Sequence, residues 1–151
     1  MATQPDDLPE ETGYVLDEQV GYLLRLAMQR HAGIFQARIQ ARVDGGLTPT
    51  QFSTLIRLAE QGSCSQNQLG RHAAMDIATI KGVVDRLRHK GLIRTEASTE
   101  DKRRSVVSLT EAGAALIDDL HTAGTEITRD TLAPLSPSEQ RTLIKLLDKL
   151  T

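Results

Sequence analysis

The chain has 151 residues, 39% of them hydrophobic and 25% charged, with a net charge of −2. That length suits one domain. Aromatics at 3% and no Trp leave aliphatic helix packing to build the core and remove the usual stacking platforms for single-stranded nucleic acid. No apolar run reaches the length of a membrane span and no signal-peptide pattern follows Met1, while the lone Cys64 excludes an intrachain disulfide framework and suits a reducing cytoplasm.

Residues 1–13 hold Pro5, Asp6, Asp7, Pro9, Glu10 and Glu11 with almost nothing apolar, which predicts a mobile arm. A long helix is expected from about Leu16 to Val43, its apolar stripe formed by Val20, Leu23, Leu24, Ala27, Ile34 and Phe35. Gly45 and Gly46 end it. Thr48, Pro49 and Gln51 then combine a cap, a first-turn proline and a capping-box partner, opening a helix that buries Phe52, Leu55, Ile56 and Ala59 and stops near Gly62. Ser65 with Gln68 forms a second capping box for a short helix through about Ala73. Asp76 is the expected N-cap of a third helix reaching Lys90 and closed by Gly91, with Ile77, Ile80, Val84 and Leu87 as its buried stripe.

Two short helices joined by a turn, the second keeping a polar outer face of small residues, make a helix-turn-helix. Ala78, Thr79 and Gly82 keep that face low, so its backbone could approach a groove floor closely. Two β-rich runs follow, Leu92–Thr95 and Ser105–Leu109, joined by a loop holding Asp101, Lys102, Arg103 and Arg104: a wing with a cationic tip. Between Arg71 and Arg104 nine Lys/Arg stand against five acids, a local +4 that leaves −6 for the rest of the chain. Such polarisation is the footprint of a protein that meets phosphate with one face. Thr110 then caps a long helix to about Leu132, with Leu116, Leu120, Ala123 and Ile127 on one side. After Pro134, Ser136 and Glu139 box the start of a last helix expected to bury Leu143, Leu146, Leu147 and Leu150.

The expected architecture is mainly α with a small β-hairpin, a winged helix-turn-helix on a helical dimerisation layer. Its order of elements resembles the MarR family of bacterial transcription regulators over nearly the whole chain. The wing carries the most specific part of the resemblance. Asp101-Lys102-Arg103, Val107-Ser108-Leu109-Thr110 and Gly113 match the family pattern D-[RK]-R-x-x-x-V-x-L-T-x-x-G, and VDRLRHKGLI is similar to the family's recognition-helix exit. The segment DEQVGYLLRLAMQRH is similar to regulators of aromatic and hydroxynicotinate-type acid catabolism.

The resemblance implies a single domain over residues 14–151, with the winged helix-turn-helix at about 48–110 and dimerisation helices at about 16–43 and 111–150. It implies a homodimer on double-stranded, pseudo-palindromic operator DNA, with recognition helices in successive major grooves and wing arginines in the minor grooves. The candidate DNA contacts are Ser65, Gln66, Ala78, Thr79, Lys81, Gly82, Arg86, Asp101, Lys102, Arg103 and Arg104. Among them Ala78, Thr79 and Lys81 are expected at base edges, Arg103 in the minor groove, and Asp101 holding Arg103 by a charge-assisted fork. Where the family often has a larger polar or basic residue, this chain has Ile77 and Gly82.

The family commonly binds small aromatic acids between its dimerisation helices and DNA-binding lobe and releases DNA on binding. Here the first helix places His31, Phe35 and Arg38 on its core-facing stripe. Cations in such a position need partners, either an organic carboxylate or acids of the protein itself. The candidate ligand residues are Tyr22, His31, Phe35, Arg38 and Phe52. The expected function is a repressor released from its operator by a small aromatic carboxylate. Two alternatives stand beside it. Cys64 just before a helix start could be a redox sensor with a dipole-lowered pKa, and the fold could be a winged-helix protein-interaction module. The four histidines show no metal-ligand spacing, no cofactor motif is present, and no nucleophile elbow, glycine-rich phosphate loop or paired carboxylates suggest an enzyme.

Overall fold

The structure is a computed structural model that describes residues 13–151. The arm expected at residues 1–13 lies outside the described residues except for Gly13. A single 3-10 turn, Leu16–Glu18, precedes helix α1, Val20–Gln40. The expected unbroken helix from Leu16 is interrupted because Gln19 is extended, at φ −82° and ψ 129°.

Helix α2 spans Pro49–Gln61, and its capping box forms as the sequence predicts. Thr48 Oγ1 accepts from the Gln51 amide at 3.2 Å, and Gln51 Oε1 accepts from the Thr48 amide at 3.1 Å. A two-residue strand β1, Cys64–Ser65, follows; nothing in its length or pattern announces it. Helices α3, Gln66–His72, and α4, Ile77–His89, pack closely against each other and on α2. Strands β2, Ile93–Ala97, and β3, Ser105–Leu109, form the wing, and β1 adds to the other edge of β3, giving an antiparallel sheet in the order β1-β3-β2. Helix α5 covers Glu111–Leu132 and α6 covers Pro137–Lys149. No helix among the described residues is long and apolar enough to cross a membrane.

The core lies where the lobe meets α5. Leu55, Leu58, Leu69, Ile80, Val84, Leu87, Val107 and Leu120 are essentially sealed from solvent, and Phe35 and Ile39 reach them from α1. Gly113 fixes the junction between wing and α5. A Cβ there would stand 2.0 Å from the Leu92 carbonyl oxygen, which accepts the Thr110 amide at 3.1 Å.

Several expected burials fail, each for a tertiary reason. Ile77 is 71% exposed. At 3.6 residues per turn, Ile77 and Val83 flank the Ile80 direction by about 60° on opposite sides; the fold covers Val83 and leaves the Ile77 side open. In α2, Leu58 is buried and Ala59 is not. Val20, Leu23, Leu24 and Ala27 in the first half of α1 are exposed, because only the C-terminal half of α1 lies along α5. On α6, Leu146, Leu147 and Leu150 are exposed and Leu143 is half-buried. Within this chain α6 is tied mainly through Gln140, whose Nε2 donates to the carbonyls of Leu132 and Leu135.

Candidate nucleic-acid interface

The turn between α3 and α4 is tight because of Gly70. A Cβ on Gly70 would stand 3.1 Å from Ile80 Cγ2 and 3.2 Å from the Met75 carbonyl oxygen, a contact tight enough to crowd α4 and the turn before it. The Gly70 carbonyl accepts the Met75 amide at 2.8 Å, and Ala74 turns the chain at φ +55°. Asp76 then caps α4, accepting the Thr79 amide at 2.7 Å. That backbone bond holds the Asp76 carboxyl below the usual carboxylate range.

The outer face of α4 carries Ile77, Ala78, Thr79, Lys81 and Arg86, all exposed as a groove-reading face requires. Lys81 lies 3.4 Å from Asp85, whose other oxygen receives Arg88 at 2.9 Å. Such exposed pairs are weak enough to exchange for a phosphate. Gly82 is less bare than expected, for a Cβ there would meet Arg86 Nη1 at 3.4 Å. The Arg86 guanidinium thus leans back over the helix.

The wing tip is a braced turn. Ser98 donates its amide to the Arg104 carbonyl at 2.8 Å, and Asp101 Oδ1 accepts the Arg103 amide at 3.0 Å. The expected fork between Asp101 and the Arg103 guanidinium does not form. Asp101 grips the Arg103 backbone instead, and its Oδ2 faces Arg104 Nε at 3.9 Å. With one oxygen closing the turn on the Arg103 amide, the other is turned toward Arg104. Among the described residues Lys102 and Arg103 form no ion pair.

Two adjoining hollows join wing and helix. One, of about 500 Å³, lies between α3 and the wing and is lined by Ser65, Gln66, Arg71, Arg103 and Arg104 among other polar groups. The other, of about 580 Å³, runs from Asn67 and Arg71 to Ile77 and Ala78. Asn67 and Arg71 belong to both. Of the DNA-face candidates, Ser65, Gln66, Arg103 and Arg104 line the first hollow and Ala78 the second, and Arg71, which motif reasoning passed over, joins the two. Thr79, Lys81, Gly82, Arg86, Asp101 and Lys102 line neither. The available signal was the i, i+4 spacing of Asn67 and Arg71 on a short helix where the basic window begins. Ser65 has a prior duty there, since its Oγ accepts the Gln68 amide at 3.2 Å.

The ligand candidates separate into three places. Phe35 and Phe52 meet edge to face, their centroids 5.6 Å apart. Phe35 borders a hollow of about 450 Å³ between α1, the Gly45–Gly46 linker and Lys90 at the end of α4. Phe52 borders another of about 520 Å³ with Ile56, Leu120 and Gly124. His31 and Arg38 instead form the seam with α5. His31 Nδ1 and Thr131 Oγ1 are 2.8 Å apart, and Arg38 Nε donates to Asp130 Oδ2 at 2.8 Å, with Glu126 at 3.4 Å. The Arg38 hydrogen bond holds Asp130 below the usual carboxylate range. Of the two kinds of partner the sequence left open for Arg38, the structure holds acids of the same chain. Tyr22 lies apart from both phenylalanines, roughly 20 Å from Phe35 along α1, its ring under the Arg25 guanidinium at 5.4 Å. The cation that the Phe35 hollow does contain is Lys90, whose Nζ donates to the Gly46 carbonyl at 3.2 Å.

Cys64 does not meet the premise of a redox sensor. It is half-buried in β1 opposite Val107, and burial pushes its thiol up rather than down.

Comparison with known proteins agrees with this geometry. The profile described as the MarR family matches residues 47–105. The chain is 40% identical to the HTH-type transcriptional repressor NicR of Pseudomonas putida, over 98% of this chain and 92% of that protein. A probable transcriptional regulator from Pseudomonas aeruginosa superposes with a TM-score of 0.84 at 52% identity, covering 91% of this chain and all of that one. BpsR of Bordetella bronchiseptica, whose DNA binding is regulated by 6-hydroxynicotinic acid, superposes with a TM-score of 0.81 at 39% identity, covering 91% of this chain and 96% of its own.

Proposed function

The chain belongs to the MarR family of transcriptional regulators, and from that premise we propose that it is a homodimeric repressor released from its operator by a small aromatic acid. The observation that supports the DNA-binding reading is the run of adjoining hollows from Arg103 and Arg104 through Arg71 to Ile77 and Ala78 at the start of α4. The cations suit phosphate and the narrow minor groove, while Ala78 and Thr79 suit base edges in the major groove. A two-fold dimer would set the two α4 helices about 34–36 Å apart, one turn of duplex. The second copy is argued from the open apolar faces at the start of α1 and along α6, where Val20 is 67% and Leu150 71% exposed.

For the effector, the hollow beside Phe35 offers an aromatic wall, the amides of Gln36 and Gln40, and the Lys90 ammonium. Lys90 ties the end of α4 to the linker at Gly46. A carboxylate that takes Lys90 from Gly46 would loosen this tie between α4 and the α1 layer, which couples effector to DNA. The hydroxynicotinate-responsive relative supports an aromatic acid of this class.

Anisotropy titration with duplexes selected from a random pool tests the reading. Affinity should fall by orders of magnitude between about 50 and 200 mM salt, and 6-hydroxynicotinate should raise the dissociation constant. Lys90→Gln should bind duplex without responding to the acid, whereas Arg38→Ala should lose thermal stability and still respond. Failure to select any duplex removes the repressor reading. An unchanged response in Lys90→Gln removes Lys90 from the effector site.

A further inference from the structure

Ile77 stands in an unusual place for a large aliphatic side chain. It is the first residue of α4, 71% exposed, at the open end of the hollow shared by Asn67, Arg71 and Ala78. Asn67, Arg71 and Asp76 line that hollow beside Met75, Ala78 and Ile80, and the exposed face of α4 continues from Ile77 to Thr79 and Lys81. A β-branched residue is not chosen there for helix propensity, since Asp76 already provides the cap. Nor is it core, because the fold seals Ile80, Val83, Val84 and Leu87 and leaves Ile77 outside.

An aliphatic side chain can give nothing to a phosphate. In a duplex the apolar feature presented to a helix is the C5-methyl of thymine on the major-groove floor. Ala78 beside it is short, so the start of α4 can approach that floor without holding Ile77 away. We propose that Ile77 is a specificity-determining residue that packs on one thymine methyl in each half-site. The inference rests on the DNA-binding reading above and adds a base preference that the polar residues of α4 do not supply. It also gives a purpose to the open flank of α4: contact with DNA buries Ile77, which folding leaves in water.

The test replaces each thymine of a selected duplex, one at a time, by deoxyuridine, which removes the methyl and leaves every hydrogen-bonding edge intact. Wild-type protein should lose about three- to fivefold in affinity at one thymine per half-site, the loss expected for one buried methyl group. Ile77→Ala should bind the thymine and deoxyuridine duplexes equally, with an unchanged thermal melt because the side chain supports no core. Wild type that binds duplex but ignores every replacement overturns the inference and leaves the DNA-binding reading standing. The same penalty persisting in Ile77→Ala also overturns it, by assigning the methyl to another side chain. If no duplex is selected at all, the DNA-binding reading fails and the inference falls with it.

Discussion

The winged lobe and the α1–α6 layer are written in the same amphipathic code, yet one satisfies it within the chain and the other does not. In the lobe, the stripes of α2, α3 and α4 close on β3 and α5, and Leu55, Leu69, Leu87 and Val107 have no solvent exposure. In the layer, the first half of α1 and nearly all of α6 leave their leucines open. An amphipathic stripe states that a face needs covering; it does not state whether the cover comes from the same chain. The lobe's stripes are covered by α5 and the end of α1, and the open faces of the layer are those the proposed second copy would cover.

Breaking each region separately sharpens this contrast. Leu87→Ala should cost about 2–5 kcal/mol in urea unfolding, because α4 cannot collapse into the space between α2 and the wing. The equivalent Leu147→Ala on α6 should change the unfolding of a dilute, monomeric sample by far less. Leu147→Glu aims at the proposed dimer. It should raise the dissociation constant of the dimer about a hundredfold in sedimentation experiments, since a carboxylate resists burial between apolar faces; an unchanged association would place the second copy elsewhere. Arg103→Ala should weaken operator binding by about 1–3 kcal/mol while leaving the melt untouched, because its side chain has no ion partner among the described residues. Intact affinity would remove Arg103 from the groove.

Acid should act on the caps and on the seam before it acts on the core. The Asp76 and Asp130 carboxyls are both held below their ordinary values, by the Thr79 amide and by Arg38. Their stabilisation is complete above the unfolded value near pH 4 and is lost as the pH falls through the depressed folded value. Asp76→Asn keeps a capping oxygen without a titrating charge, so its melting temperature should fall less steeply below about pH 4; parallel curves would show that the cap is not the acid-sensitive part. The smallest effect belongs to the helix-turn-helix bend. Ala74→Gly relieves a positive φ of 55° and loosens the unfolded chain, so the two terms should cancel to within about 1 kcal/mol.

Local signals marked the boundaries of the fold well. The capping boxes at Thr48, Ser65 and Ser136 and the caps at Asp76 and Thr110 all form, because each is a contact between residues three apart and needs no distant partner. The wing strands and the basic window were legible from residue types along the chain, β-rich runs for one and charge order for the other. Strand β1 was not, since two residues become a strand only through pairing with Val106 and Val107, more than forty positions later. The Asp101 assignment missed because the choice between a side-chain fork and a backbone bond depends on how the wing turn closes. Arg71 and Lys90 were passed over because each gains its meaning from elements distant in sequence: the wing for one, the Gly46 linker for the other.

The sequence by itself determined where the capped helices begin, which segment is basic and which pattern the wing follows, all properties of short-range bonds and of charge order along the chain. Tertiary structure alone decided which faces of those helices are covered. It turned Ile77 from an expected core residue into an exposed one, tied Arg38 to Asp130, and left the stripes of α1 and α6 open. Burial is decided by what packs opposite a face, and one-dimensional periodicity carries no information about the opposite side.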